Sequence, residues 1–374
     1  MGVMYQWSAD FQYQVSTHSV AEIGYTGVRG RKLLFGNPNL DLDQLPTKDL
    51  ALGSKLDETV ANPFYGVITD PNAYLSQPTV PYNALLRPFP EFGWLQQTRS
   101  LPGARSQFDA LHAKYNHSFN NGLSLIMTYQ WSKNLDDGSE AFLGWTIGGS
   151  WRDANNPKLD YALSTHDVPQ SYAVAWTYQL PYGSRRQFGG TAPWAVRQAI
   201  GNWNLSGAIR MASGLPLPTP PHFWNNPIGN YGFPGPGMPN IVGNPIPTNR
   251  NKNNWLNAAA FQGVSPDNGS ALQSCGDPDP NKGCLPFPYQ YGNEPQHMST
   301  VREAATENVD LGVAKDFGPE RLRTQFRADF LNAFNHPIYG GGDIDSCINC
   351  GSLGMVYGTR NDPRQIQVSV KLTY

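Results

Sequence analysis

Cysteines, paired aspartates and histidines are the residues of this 374-residue chain whose chemistry needs testing first. Cys347 and Cys350 flank the Ile-Asn of "CINC", a spacing that serves a loop disulfide, a zinc half-site or thiol exchange. Zinc needs further ligands, and a redox motif needs a helix opening after a strand. Neither accompanies the run, so a local disulfide is expected, with metal binding and free thiols as alternatives. Cys275 and Cys284 lie among similar Gly, Pro, Asn and Asp residues and are the second disulfide candidates, given an oxidising compartment. Asp41/Asp43, Asp277/Asp279 and Asp343/Asp345 offer oxygen ligands for calcium in loops, or ordinary turn formation and solvation; none completes an EF-hand. The seven histidines form no His-x-x-x-His pair beside a carboxylate. There is no Gly-rich phosphate loop and no serine in a strand-to-helix elbow. The expectation is a protein that is not an enzyme and needs no cofactor, with loop calcium the single exception.

The elements that must position these residues show in hydropathy with a period of two. "YQWSADFQYQV" sets Tyr5, Trp7, Ala9, Phe11, Tyr13 and Val15 against Gln6, Ser8, Asp10, Gln12 and Gln14. The pattern returns in "AEIGYTG", less regularly in "FDALHAKYNHSF", and again in "GLSLIMTYQWS", "SYAVAWTYQL" and "NWNLSGAIRMAS". "ENVDLGVAKDF", "RLRTQFRADFLNAF" and the closing "RQIQVSVKLTY" complete about nine predicted strands. Short turns such as "STHS", "SFNNG" and "FGPE" join some of them. The fifth-to-sixth link is longer, with room for a helical turn at "PWAVRQAI". Links rich in Pro, Gly, Asn and Asp, roughly 28–107, 133–170, 214–303 and 335–363, join the rest. Long loops therefore gather on one rim and turns on the other.

Composition agrees with an all-β chain: 15% charged and 12% aromatic residues, with 38 Gly and 32 Pro. A net charge of -2 gives no handle for nucleic acid. No run reaches the roughly 20 apolar residues of a membrane helix, which leaves a transmembrane barrel open. A soluble sandwich has similar strands, but three features favour lipid on the apolar side. The runs of about eleven residues suit a bilayer better than the usual five or six of soluble strands. Trp and Tyr recur near strand ends, as at Trp7, Tyr25, Trp131, Trp203 and Tyr374. Turns alternate with long loops. Trp7, Phe11, Tyr25, Met127, Trp131, Trp176, Trp203, Val368 and Val370 are then the lipid-facing candidates. Arg210, Arg323, Arg327 and Asp329, with Lys371, project to a lumen, where they pair with one another, meet a plug or line a substrate path. Backbone in lipid must be paired within a closed sheet, and a bacterial single-chain barrel has an even strand number. An odd count makes 1–374 the expected carboxy-terminal portion of a longer protein, with its signal peptide absent.

The stretches "NPFYGVI", "LLRPFPEF", "GLSLIMTYQWSKNLDD", "LPYGSRR", "GNWNLSGAIRMASGLPL", "FRADFLNAFNHPIYG" and "RQIQVSVKLTY", in this order over most of the chain, resemble the large TonB-dependent receptors of the Oar-like, acidobacterial type. The resemblance implies a bacterial outer-membrane barrel of about 22 strands, with long extracellular loops and short periplasmic turns. It also implies an amino-terminal plug and a TonB-binding segment, neither identified in this sequence, so a fragment not competent for transport alone is expected. Implied partners are outer-membrane lipid, the barrel-assembly machinery, TonB through the missing plug, and a large nutrient: carbohydrate, peptide or chelate. Terminal Tyr374 resembles the signal recognised in barrel assembly. The alternative function is a secreted or surface-displayed β-rich binding protein, a lectin or adhesin.

Overall fold

Nine long strands form one antiparallel meander in which each strand pairs with its neighbours in sequence. The computed structural model describes residues 1–35, 40–73, 75–92, 96–97, 101–120, 122–138, 151–183, 186–219, 228, 231–233, 239–262, 289, 291–294, 297–318, 323–340, 342, 344–345 and 352–373. The strands are β1 (Val3–Ser16), β2 (Ser19–Phe35), β3 (Leu101–Ser118), β4 (Leu123–Asp136) and β5 (Gln170–Gln179). They continue with β6 (Trp203–Ala212), β7 (Thr306–Phe317), β8 (Arg323–Leu331) and β9 (Gln365–Thr373). The two-residue strand Ala162–Leu163 adds to the loop end of β4. Among the described residues β1 and β9 each have one sheet partner, and every residue in both is exposed. The sheet is all-β, unclosed, and ends in two open edges.

Register decides which side chains share a face, since directly opposed residues in an antiparallel pair point the same way. Phe11 opposes Ile23, Ile23 opposes Ala113, and Ala113 opposes Tyr129. Met127 opposes Val174, Val174 opposes Ile209, and Ile209 opposes Val309. Leu311 opposes Phe330, and Phe330 opposes Ile366. The apolar parity of each strand is thereby carried into the next without a slip, giving one apolar face across all nine. It is open to the surroundings: Phe11 is 65% and Val368 71% exposed. A soluble monomer rarely leaves a patch of this extent to water.

Strand ends differ from the alternation in three places. β2 and β3 run into segments that read as loop from 28 onward and up to 107, because the pairing continues through Arg29, Gly30 and Arg31 where the dyad is lost. A register shift between Gly30 and Leu33, with Lys32 at φ 51°, absorbs the irregularity. β8 stops at Leu331, so Phe334, which the pattern assigns to the strand, lies in the following turn; Asn332 (φ 47°) and Asn335 (φ 53°) bend the chain there. In the link from β5 to β6, a helix, α1, spans Trp194–Ile200.

The turns joining β1–β2, β3–β4, β5–β6 and β7–β8 lie on one rim, and the long connections fill the other. Buried apolar clusters gather in those long connections. One joins Leu217, Trp255, Leu256, Phe261, Met298, Val301 and Ile344. Another joins Leu45, Leu50, Leu56, Ile228, Tyr231 and Phe233, and a smaller one holds Leu75, Val80 and Ala84. Among the described residues no second layer covers the apolar side of the sheet; at the loop rim Tyr161, Leu163 and Pro169 line a pocket with Tyr25, Leu111 and Trp131, and the loops form a cap with its own interior.

Candidate functional site

The apolar face is bounded at both ends by charge. Toward the loop rim Asp109 shares a cross-strand row with Gly27 and Lys133, and Arg29 shares the next row with Gln107. Arg29 donates two hydrogen bonds of 3.0 Å to Asp109 and stacks over Trp7 at 5.2 Å, and the Tyr25 hydroxyl donates to Asp109 at 2.6 Å. Toward the turn rim Lys315 opposes Trp203, lies 4.7 Å over its ring and donates to the Gly201 carbonyl at 2.5 Å. Glu307 and Lys315, one near each end of β7, are eight residues apart. At about 3.3 Å per residue and a tilt near 40°, that spacing is about 20 Å along the membrane normal. The interval approaches the roughly 25 Å apolar band of outer-membrane barrels, with aromatic rings and snorkelling cations at its margins.

Two tryptophans of this face lie across glycines. Trp176 opposes Gly207 and Trp7 opposes Gly27. A Cβ on Gly207 would lie 2.6 Å from the Trp176 indole, so each ring occupies the place that its partner's missing side chain leaves. Phe11, Tyr25, Met127, Trp131, Trp176, Trp203, Val368 and Val370 share the face of Trp7 by register.

Arg210, Arg323, Arg327, Asp329 and Lys371 fall on the opposite face. There Arg327 contacts Asp329 at 2.7 Å and Arg323 contacts Asp316 at 2.6 Å. A groove of about 530 Å³ on this wall takes in Ile126, Ala175, Ser206, Asp310, Arg327 and Asp329. Register also gathers a group that sequence spacing hides. Asp10 on β1, Glu22 on β2 and His112 on β3 meet on the polar face, with His112 Nε2 2.8 Å from Asp10 Oδ1 and 4.0 Å from Glu22 Oε1. Their only sequence signal is parity, which places all three on the polar side of their strands.

Buried ion pairs fix the cap. Arg87 meets Asp41 at 3.2 Å, Arg152 meets Asp160 at 2.8 Å, and Arg302 reaches Asp167 at 2.5 Å. Asp153 accepts from Gln44 at 2.7 Å and from Thr47 at 2.5 Å, tying the first long connection to the second. Tyr231 and Tyr289 both donate to Asp57, and burial, reinforced by this carboxylate, pushes the Tyr231 phenol far above its ordinary range. Asp41 and Asp43 are consumed within the cap: Asp41 holds Arg87 and the Asp43 amide, and Asp43 accepts from the Phe89 amide at 2.6 Å. Cys275, Cys284, Cys347, Cys350, Asp277, Asp279, Asp343 and Tyr374 lie outside the described residues.

A family described as an outer membrane beta barrel domain matches residues 1–367. No curated protein matches the chain. Among solved structures, the ferripyoverdine receptor of the outer membrane of Pseudomonas aeruginosa bound to ferripyoverdine aligns over 99% of this chain and 26% of its own, at 10% identity and a TM-score of 0.38. P. aeruginosa FpvA bound to a heterologous pyoverdine–iron complex aligns over the same shares at 9% identity and 0.37. The FpvAI–pyocin S2 complex does so at 10% and 0.36. The chain thus spans about a quarter of the length of these receptors, 26% in each case.

Proposed function

Because the chain belongs to the outer membrane beta barrel domain family and so resides in the outer membrane, we propose that it supplies nine strands and the ligand-recognising cap of a TonB-dependent receptor of the Oar-like type. Strands supplied by the rest of a larger ring of about 22 close its two open edges. The lipid side is the face of Trp7, Met127, Trp176 and Val368, and the lumen side is the face of Arg210, Arg323, Arg327 and Asp329. In the whole receptor a plug fills the lumen and carries the TonB-binding segment, and the barrel-assembly machinery receives the chain at its carboxy terminus. The long loops face the cell exterior and select a large nutrient: a carbohydrate, a peptide or a chelate. Transport needs the plug, so this segment by itself binds without moving its ligand.

The observation that supports this reading best is the division of apolar surface. One uninterrupted face lies open on the sheet, while the loops bury their own clusters. A secreted lectin or adhesin would turn the sheet's apolar face onto a second layer of the same chain. The test is accumulation of labelled oligosaccharide, peptide and ferric chelate by cells that carry or lack the gene of the whole receptor, plug included. One probe class should accumulate only with the gene present, and a protonophore should abolish it. Equal accumulation with and without the gene for all three classes, or uptake indifferent to the protonophore, overturns the assignment.

A further inference from the structure

We propose that Asp10, Glu22 and His112 form a divalent metal site of the zinc class on the polar face of the sheet, joining the three strands β1, β2 and β3. The inference stands on local geometry and does not depend on the transport reading.

One ligand atom from each residue lies within 4.8 Å of the other two. A tetrahedral ion bound at about 2.1 Å requires ligand atoms about 3.4 Å apart. The distances from His112 Nε2, 2.8 Å to Asp10 Oδ1 and 4.0 Å to Glu22 Oε1, bracket that value, and the Asp10–Glu22 edge, within 4.8 Å, closes toward it by rotamer adjustment. One imidazole nitrogen and two carboxylate oxygens suit zinc and its neighbours in the first transition row better than calcium or magnesium, which take oxygen alone.

Gly24 is the second observation. It stands between Asp10 and His112 in the same cross-strand row, opposing Asp10 on one side and His112 on the other. A Cβ at this position would overlap both Asp10 Oδ1 and His112 Nε2. The two ligand atoms therefore converge over the one residue that leaves them room, and any other residue would drive them apart. The surrounding polar face carries Gln12 and Gln130 beside the group, and Lys114 opposite Glu22. Among the described residues no ion pair joins Lys114 to Glu22, so the Glu22 carboxylate is not committed to that cation.

A cation held here has two consequences. It ties the edge strand β1 to β2 and β3 through bonds that hydrogen-bond exchange cannot slide. Three protein ligands also leave at least one coordination position open on the polar side, for water or for an anionic group arriving there. With no metal, His112 and Asp10 make an ordinary imidazole–carboxylate contact.

The test is calorimetric titration of the detergent-solubilised full chain with Zn²⁺ after chelator treatment, together with the visible absorption of the Co²⁺-loaded chain. Expected are one equivalent bound and Co²⁺ bands of a low-coordinate site. His112→Gln should weaken binding at least tenfold. Gly24→Ala should do likewise while retaining all three ligands, a result that nonspecific carboxylate binding does not give. His117→Gln, on the opposite face of β3, should leave the affinity unchanged. Heat-modifiable migration of each variant reports whether it folds. Sub-stoichiometric binding, absent Co²⁺ bands in the unaltered chain, or an affinity indifferent to both His112→Gln and Gly24→Ala overturns the site.

Discussion

Placing one arginine on each side of β4 separates lipid from water as the apolar face's surroundings. Met127 and Thr128 are consecutive, equally embedded in the sheet between β3 and β5, and point to opposite faces. Met127 lies four residues from Leu123 and four from Trp131, at the two ends of the apolar run. That is about 13 Å along the strand in either direction, or about 10 Å along the normal at a tilt near 40°. An arginine stem shortens this path without abolishing it. Met127→Arg should therefore incur nearly the midplane cost, about 2–4 kcal/mol, whereas Thr128→Arg, on the polar face, should stay within about 0.5 kcal/mol. A difference of about 3 kcal/mol is roughly a hundredfold in the folded-to-unfolded ratio. The assay is urea titration of the full chain in phosphatidylcholine vesicles, followed by heat-modifiable migration. Equal midpoints for the two variants, or a larger loss for Thr128→Arg, would refute lipid on the Met127 side.

Gly207→Val should displace the Trp176 ring from its place over the glycine, lowering stability by about 1–3 kcal/mol and shifting the tryptophan emission. Unchanged emission and stability would show that the ring does not rest there. In the cap, burial holds the Asp43 carboxyl above the ordinary carboxylate range despite the Phe89 amide and Arg87, and among the described residues Asp43 Oδ2 has no hydrogen-bond partner. The folded chain then keeps a proton that the unfolded chain has lost. Asp43's contribution to cap stability is therefore fully present below the ordinary carboxylate pKa and declines as pH rises through it toward the raised value. Hydrogen exchange around residues 41–45, corrected for intrinsic rates, should quicken as pH rises above the ordinary carboxylate pKa in the unaltered chain. It should show a flatter profile in Asp43→Asn, and a profile with no such slope in the unaltered chain would contradict the account.

The strands were legible because a sheet with different solvents on its two sides writes its orientation into every second residue. Tyr5 to Tyr13 on β1 and Ile366 to Leu372 on β9 announce their faces without reference to any partner. The strand ends were less legible. Arg29 and Asp109 satisfy each other at the margin of the band, where charge is tolerated and alternation carries no penalty. The loops that build the cap were legible as the long links of one rim, but its interior was not. Gln44 meets Asp153 across 109 positions, and Arg302 meets Asp167 across 135, contacts that no local period encodes. Asp10, Glu22 and His112 show an intermediate case: parity gives their face, and only register gives their meeting.

The separate interior of the cap divides the chain into parts under unequal constraint. Residues of the wall answer to a fixed hydrocarbon thickness and must keep their alternation. Residues at the cap's surface answer only to the cap's own packing, so they can be exchanged without disturbing the anchorage. Substitutions can therefore accumulate faster over the cap than over the wall that holds it.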